Sequence, residues 1–192
     1  MATTTAVTNS LNPVGSIEMN LFHFDAPSII IPDLVLKYEN PKKVLKQADP
    51  SLQPLIEMMM EKMRDYDERS IVIDYKVRSL KEGDTGSGIY GYHLDCTNDI
   101  HDTFEPETHL IYSTVIGTSF VMNPINTKDY TSVQNVLDNE VLIEAVAPTE
   151  SVHKFTSKVL HSCPILDRTC QRVLIRVTSG FKERIAHNKG KK

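Results

Sequence analysis

A histidine and a carboxylate two positions apart on an extended chain point to the same side, so they can take neighbouring positions on one metal ion. The 192-residue sequence carries this spacing twice, at His23-Phe24-Asp25 and at His93-Leu94-Asp95. In a chain with seven histidines the triplet alone is weak, and only its surroundings separate the two copies. His93 and Asp95 end the run Ile89-Tyr90-Gly91-Tyr92-His93-Leu94-Asp95. Read as extended chain, that run puts Ile89, Gly91, His93 and Asp95 on one face and Tyr90, Tyr92 and Leu94 on the other. His23 and Asp25 lie in the irregular N-terminal part.

A third ligand must come from elsewhere in the chain. His161 sits on the penultimate β-type run, and Arg172 and Arg176 sit on the last one. Two imidazoles and one carboxylate on one face of an octahedral Fe(II) leave three positions open, enough for a bidentate 2-oxo acid and dioxygen. On the last run Arg172, Leu174, Arg176 and Thr178 alternate with Val173, Ile175 and Val177. The apolar set can pack beneath a helix, which turns the arginines inward. A guanidinium there needs an anion, and the far carboxylate of 2-oxoglutarate is one.

A zinc reading pairs His93 with Cys96 and His161 with Cys163. It is disfavoured, because structural zinc wants closely spaced thiolates and Cys96 points away from His93 on an extended strand. His101, His109 and His153 read as surface or satisfied core residues. The run of methionines Met58 to Met60 puts only Met59 on a buried helix stripe, so it reads as packing rather than as a soft ligand site.

The order of these residues resembles the 2-oxoglutarate/Fe(II)-dependent oxygenases: His-x-Asp at His93 and Asp95, a distal His161 66 residues after Asp95, and Arg172 eleven residues later. The text Gly91-Tyr92-His93-Leu94-Asp95 and Val159-Leu160-His161-Ser162-Cys163-Pro164, leading to Arg172-Val173-Leu174-Ile175-Arg176-Val177, is similar to small members of that family. The likeness spans about residues 70–180. It implies a double-stranded β-helix holding Fe(II) at His93, Asp95 and His161, with 2-oxoglutarate anchored by Arg172 or Arg176. It also implies hydroxyl contacts to the cosubstrate from the segment after the His-x-Asp, where Tyr112 and Thr118 stand, although good sheet residues account for them equally well. The implied reaction is hydroxylation of an unactivated C–H bond with release of succinate and carbon dioxide. The last run lacks the Asn of the nucleic-acid demethylase branch, which disfavours base demethylation.

These side chains need a scaffold. From 51 to 66, Leu52, Leu55, Ile56, Met59, Met63 and Tyr66 recur at helical spacing and define one amphipathic helix. Beyond it come short β-type runs at 70–79, 88–95, 109–122, 140–147, 151–161 and 171–178, separated by Gly, Pro, Asp and Asn. No helix-sized segments alternate with them, so antiparallel pairing is expected. The fold class is mostly β with an N-terminal helix: a double-stranded β-helix, jelly-roll or cupin-like barrel, with the helix packed outside one sheet. The glycine-rich loop 81–88 is followed by a β-type run rather than a helix, so it is a turn or flap and not a phosphate cradle.

The length suits one domain, read as 17–180, with a flexible tail at 1–16 and a basic tail at 181–192. A net charge of -4 gives no reason to expect nucleic acid. No apolar run is long enough to span a membrane, and the N-terminal stretch has no secretory pattern, so a cytoplasmic setting with reduced cysteines is expected. The expected partners are dioxygen and a small-molecule, amino-acid or protein side-chain substrate, chosen by the loops 81–88, 97–108 and 123–138, which carry no legible motif. A cupin-like metal protein of other chemistry and a metal-free jelly-roll module are the rival readings.

Overall fold

The alternating run of arginine and valine near the C-terminus forms one of the two longest strands. The structure, a computed structural model, describes residues 9–63, 69–86, 89–97 and 99–190. Eleven strands form in chain order: β1 (Ser10–Leu11), β2 (Ile17–His23), β3 (Leu34–Glu39), β4 (Arg69–Leu80), β5 (Thr108–Ser113), β6 (Ser119–Val121), β7 (Ile125–Asn126), β8 (Glu144–Val146), β9 (Ser151–Thr156), β10 (His161–Ser162) and β11 (Cys170–Phe181). Four helices accompany them: α1 (Pro41–Gln47), α2 (Gln53–Glu61), α3 (Val133–Asn139) and α4 (Lys182–Lys189).

The large sheet has the order β2-β9-β5-β11-β4-β3 with every neighbour antiparallel, and β4 and β11 pair along their whole length. A three-stranded sheet, β10-β6-β8, and a ribbon of β1 with β7 complete the β structure. The outer face of the large sheet carries Ile73, Tyr75, Val77, Leu110, Tyr112, Val173, Ile175 and Val177. On it lie Val44 and Ala48 at α1 and Leu52, Leu55, Ile56, Met59 and Met63 along α2. Full burial of each such aliphatic side chain contributes about 2 kcal/mol, which outweighs the weak helix propensity of so short a segment. From the inner face, Ile111, Phe155 and Leu174 meet Phe120 of β6.

Two antiparallel sheets facing each other across an apolar layer make a jelly-roll-like architecture. Among the described residues no ladder joins the large sheet to the small one, so the pairing shows a jelly-roll-like arrangement and not the closure of the expected barrel. The helix over the outer face is there, but β1 to β3 precede it, so it is not N-terminal. It also shares that face with α1, which starts at Pro41 behind an Asn40 cap. Tyr66 lies outside the described residues, and α2 ends at Glu61.

Two long runs break where the chain crosses between sheets. Residues 109–122 divide into β5 and β6, with Ser113 Oγ donating to Ile116 O at 2.8 Å in the turn. Residues 151–161 divide into β9 and the start of β10, with Val159 N donating to Thr156 O at 3.0 Å. The described part of the run expected at 88–95, residues 89–95, forms no ladder strand and makes the single bridge His93 with His161. Leu11 is fully buried, and α4 is docked by the buried Arg184, whose Nε donates to Glu107 Oε1 at 2.8 Å and whose Nη2 donates to Asp102 Oδ2 at 2.5 Å. No helix among the described residues is long and apolar enough to cross a membrane.

Candidate metal centre

His93 and His161 face each other across that single antiparallel bridge. Each backbone N–H donates to the other's carbonyl, at 3.0 and 3.1 Å, and the imidazole centroids are 4.5 Å apart. Their apolar neighbours fix the bridge, since Leu94 and Leu160 are buried in one cluster with Val121 and Ile125. Left-handed backbone at Gly91 (φ 77°) and Cys96 (φ 67°) brackets the ligand segment and bends it out of the strand path. Ligand atoms of His93, Asp95 and His161 all lie within 4.8 Å of one another. His161 Nε2 is 3.3 Å from Asp95 Oδ2, near the separation of about 3 Å for two donors at right angles on an ion with bonds of about 2.1 Å.

The tautomers suit an ion. His161 Nδ1 lies 3.0 Å from Val159 O, and His93 Nδ1 lies 3.3 Å from Gly91 O. A carbonyl only accepts, so both Nδ1 atoms carry a proton, and Nε2 is the atom that each ring would offer to an ion. Burial, and then the neighbouring His161, push the His93 imidazole below its usual range, which keeps it neutral.

Arg176 stands beside the carboxylate ligand. Its Nε and Nη2 donate to Asp74 Oδ2 at 3.2 and 2.7 Å, and its Nη1 contacts Asp95 Oδ2. Asp74 lies directly across from Arg176 in the β4–β11 register. Burial pushes the Asp95 carboxyl up, but Arg176 and then His161 outweigh it and hold the group well below the usual carboxylate range. Asp95 is thereby kept ionised, and Arg176 is engaged by both acids.

Arg172 differs. It is 2% exposed, with Nε donating to Ser113 Oγ at 2.8 Å and Nη2 reaching Ile116 O at 3.5 Å. Its Nη1 is buried without a directed hydrogen bond among the described residues. The neighbours of that group are Cys163 Sγ and Gly86, where any Cβ would overlap both. Cys163, but not Arg172, lines a cavity of about 120 Å³ together with the three ligands, Lys76, Thr118 and Arg176.

Thr118, from the turn after β5, therefore lines the cavity, but Tyr112 does not. Tyr112 points to the outer face of β5, is fully buried there, and donates its hydroxyl to Phe24 O at 3.1 Å. Its sequence neighbours Ile111 and Ser113 face the site instead. The decoy pair His23 and Asp25 forms an exposed contact at 3.0 Å. Among the described residues, His93, Asp95 and His161 are the one group of three His, Cys, Asp or Glu side chains placed to hold an ion. Cys96 packs against Tyr38, Val72 and Ile185, is not part of the ligand group, and has its thiol pushed up to about 12 by burial. His153 is a satisfied core residue between Pro148 O and Asn20 N, and His101 binds Tyr130 O.

Three site residues escaped the sequence reading: Asp74, Lys76 and His109. The signal for the first two was present, because Asp74, Lys76 and Arg78 alternate with Ile73, Tyr75 and Val77 on β4 as the arginines do on β11. His109 is fully buried with Nδ1 2.9 Å from Thr178 Oγ1, and burial pushes its imidazole down to about 4. A lone histidine on a β-type run carries no mark of that.

No family model matches the chain, and no curated protein is significantly similar to it in sequence. Among solved structures it is similar to EvdO2 from Micromonospora carbonacea var. aurantiaca, at 9% identity and a TM-score of 0.42, over 82% of this chain and 70% of that one. It is also similar to HygX from Streptomyces hygroscopicus with nickel and 2-oxoglutarate bound, at 11% identity and a TM-score of 0.45, over 76% and 71%. HygX with nickel, 2-oxoglutarate and hygromycin B gives 12% identity and a TM-score of 0.43, over 92% and 84%. Likenesses this distant lend no weight to the site, which stands on its own residues.

Proposed function

We propose that the chain is an Fe(II)- and 2-oxoglutarate-dependent dioxygenase that hydroxylates a small-molecule or amino-acid substrate. One observation carries the reading: two imidazoles with their Nδ1 protons tied to backbone carbonyls converge with a carboxylate on a cavity whose lining residue Cys163 adjoins a guanidinium Nη1 with no directed hydrogen bond among the described residues. The donor set of two nitrogens and one oxygen suits Fe(II) and leaves coordination positions open. Once bound, iron and 2-oxoglutarate supply the oxidising power that hydroxylates a C–H bond, with dioxygen consumed and succinate and carbon dioxide released.

The protein's share is positional. His93, Asp95 and His161 hold the ion. Arg176, locked between Asp74 and Asp95, keeps the ligand carboxylate ionised and oriented. Its engagement by both Asp74 and Asp95 favours Arg172 as the anchor for the distal carboxylate, since among the described residues Arg172 Nη1 has no directed hydrogen bond. Thr118 adds a hydroxyl to the cavity wall. A cupin-like metal protein of other chemistry would have no use for the unpartnered Arg172 donor, because burying it costs free energy unless an anion meets it.

Anaerobic addition of Fe(II) and 2-oxoglutarate should produce a visible charge-transfer band, absent in His93→Ala, Asp95→Ala and His161→Ala and retained in His23→Ala. A band that survives any of the three ligand changes sinks the assignment. A screen for succinate release across small molecules, amino acids and peptides would then find the substrate class.

A further inference from the structure

Two cations, Lys76 and Arg176, line the cavity, a third, Arg172, lies next to its lining residue Cys163, and they are not equivalent. Arg176 is neutralised by Asp74 and Asp95. Arg172 lies enclosed behind Cys163 with one donor free. Lys76 projects from the inner face of β4, directly across from Leu174 of β11, and lines the cavity beside Ile89, which is 49% exposed. Among the described residues its ammonium group has neither a hydrogen bond nor an ion pair. Asp74, the next inward-facing residue on the same strand, is already held by Arg176 and acts on Lys76 only at longer range.

A count of charges gives this a consequence. Once 2-oxoglutarate chelates the ion through its oxo acid end, it has one carboxylate left. Among the described residues two cations keep a donor without a directed hydrogen bond. Arg172 is the enclosed one, suited to a group that must be shielded from water, while Lys76 lines the cavity itself. One positive charge therefore remains for a different anion. We infer that Lys76 binds an oxyanion of the substrate, so that the enzyme acts on a small acid, carboxylate or phosphate, and selects it by that group. The inference rests on the oxygenase reading for its catalytic meaning.

The register fixes the geometry. The pair of Lys76 with Leu174 lies two residues along the strands from the pair of Asp74 with Arg176, which abuts Asp95. That step is about 6.6 Å, so an acid group held at Lys76 presents a C–H bond only a few bonds away from it. Burial also pushes the Lys76 amine down to about 8, with Asp74 opposing the shift. An ammonium that is buried and poorly compensated gains most from an incoming anion.

The first test needs no metal. Acetic anhydride labelling of Lys76 at pH 8, read by peptide mass spectrometry, should slow several-fold with inorganic phosphate or propionate and remain unchanged with propionamide. Protection by phosphate alone or propionate alone identifies which oxyanion the site takes, and protection by neither overturns the proposal. The second test titrates 2-oxoglutarate anaerobically into Fe(II)-loaded wild type and Lys76→Met. Half-saturation should agree within about two-fold, and a ten-fold weakening in the variant would hand Lys76 to the cosubstrate and overturn the substrate role. Small acids and their methyl esters added to the ternary complex should then perturb the visible band as acids only. The perturbation should be lost in Lys76→Met and restored in Lys76→Arg, whereas esters acting as well as acids would refute the selection. If wild type gives no band while Lys76 is still protected by anions, the oxygenase reading fails and the anion site stands by itself.

Discussion

Replacing Arg176 with Met keeps most of the side-chain volume and removes the charge that sits between two acids. Asp74 is 2% exposed and would lose two hydrogen bonds, at 2.7 and 3.2 Å, keeping the backbone donor of Tyr38 at 3.3 Å. Asp95 would lose its guanidinium contact and keep His161 at 3.3 Å. Removing one partner of a buried ion pair costs about 3–5 kcal/mol. In a domain of this size each kcal/mol moves Tm by about 2–4 °C, so the metal-free variant should melt roughly 6–20 °C below wild type. A divalent ion bound at Asp95 replaces part of the missing positive charge. At a hundred times its Kd it stabilises any binder by about 2.7 kcal/mol, and in the variant it should bind more tightly than in wild type. The assay is calorimetric melting at neutral pH with and without Mn(II). A metal-free shift below about 2 °C, or a metal-induced shift no larger in the variant than in wild type, would refute the coupling of Arg176 to the metal ligand.

Other outcomes follow from the same geometry. Arg172→Met should raise the half-saturation for 2-oxoglutarate about 10- to 100-fold, as expected for a charge-assisted bond of about 1.5–3 kcal/mol, while Mn(II) affinity stays the same; unchanged cosubstrate binding would move the anchor elsewhere. Tyr112→Phe should cost about 1 kcal/mol through the lost bond to Phe24 O and leave cosubstrate binding intact, which denaturant unfolding and the same titration check. His109 is held near 4 in the folded protein and titrates near 6.5 when unfolded, so the unfolded chain takes up the proton first as pH falls. Its contribution is complete above about 6.5 and is lost toward 4, which makes wild type about 2 kcal/mol less stable at pH 5 than at pH 7. Urea unfolding of His109→Gln should show that difference removed, and a slope identical to wild type would assign it to another group.

The chemistry of the site was legible in the sequence to the extent that spacing determines it. His93 and Asp95 are two apart, His161 stands at the head of a crossing turn, and polar and apolar side chains alternate along β11, all of which local periodicity encodes. The helical stripe from Leu52 to Met63 was equally plain, because burial of one face demands that spacing. Periodicity tells which residues share a face, and not which face is inside. Only the packed sheets turned Ile111 and Ser113 toward the cavity and Tyr112 away from it, a difference of a single residue in strand phase. Pairing over long range decided the rest. The β4–β11 register sets Asp74 against Arg176 and so ties one arginine to an acid, while among the described residues Nη1 of the other has no directed hydrogen bond. The bridge between His93 and His161 joins ligands 68 positions apart in the chain. Residue spacing therefore determined which side chains were available to bind an ion, and tertiary register, driven by burial and charge pairing, decided which of them meet.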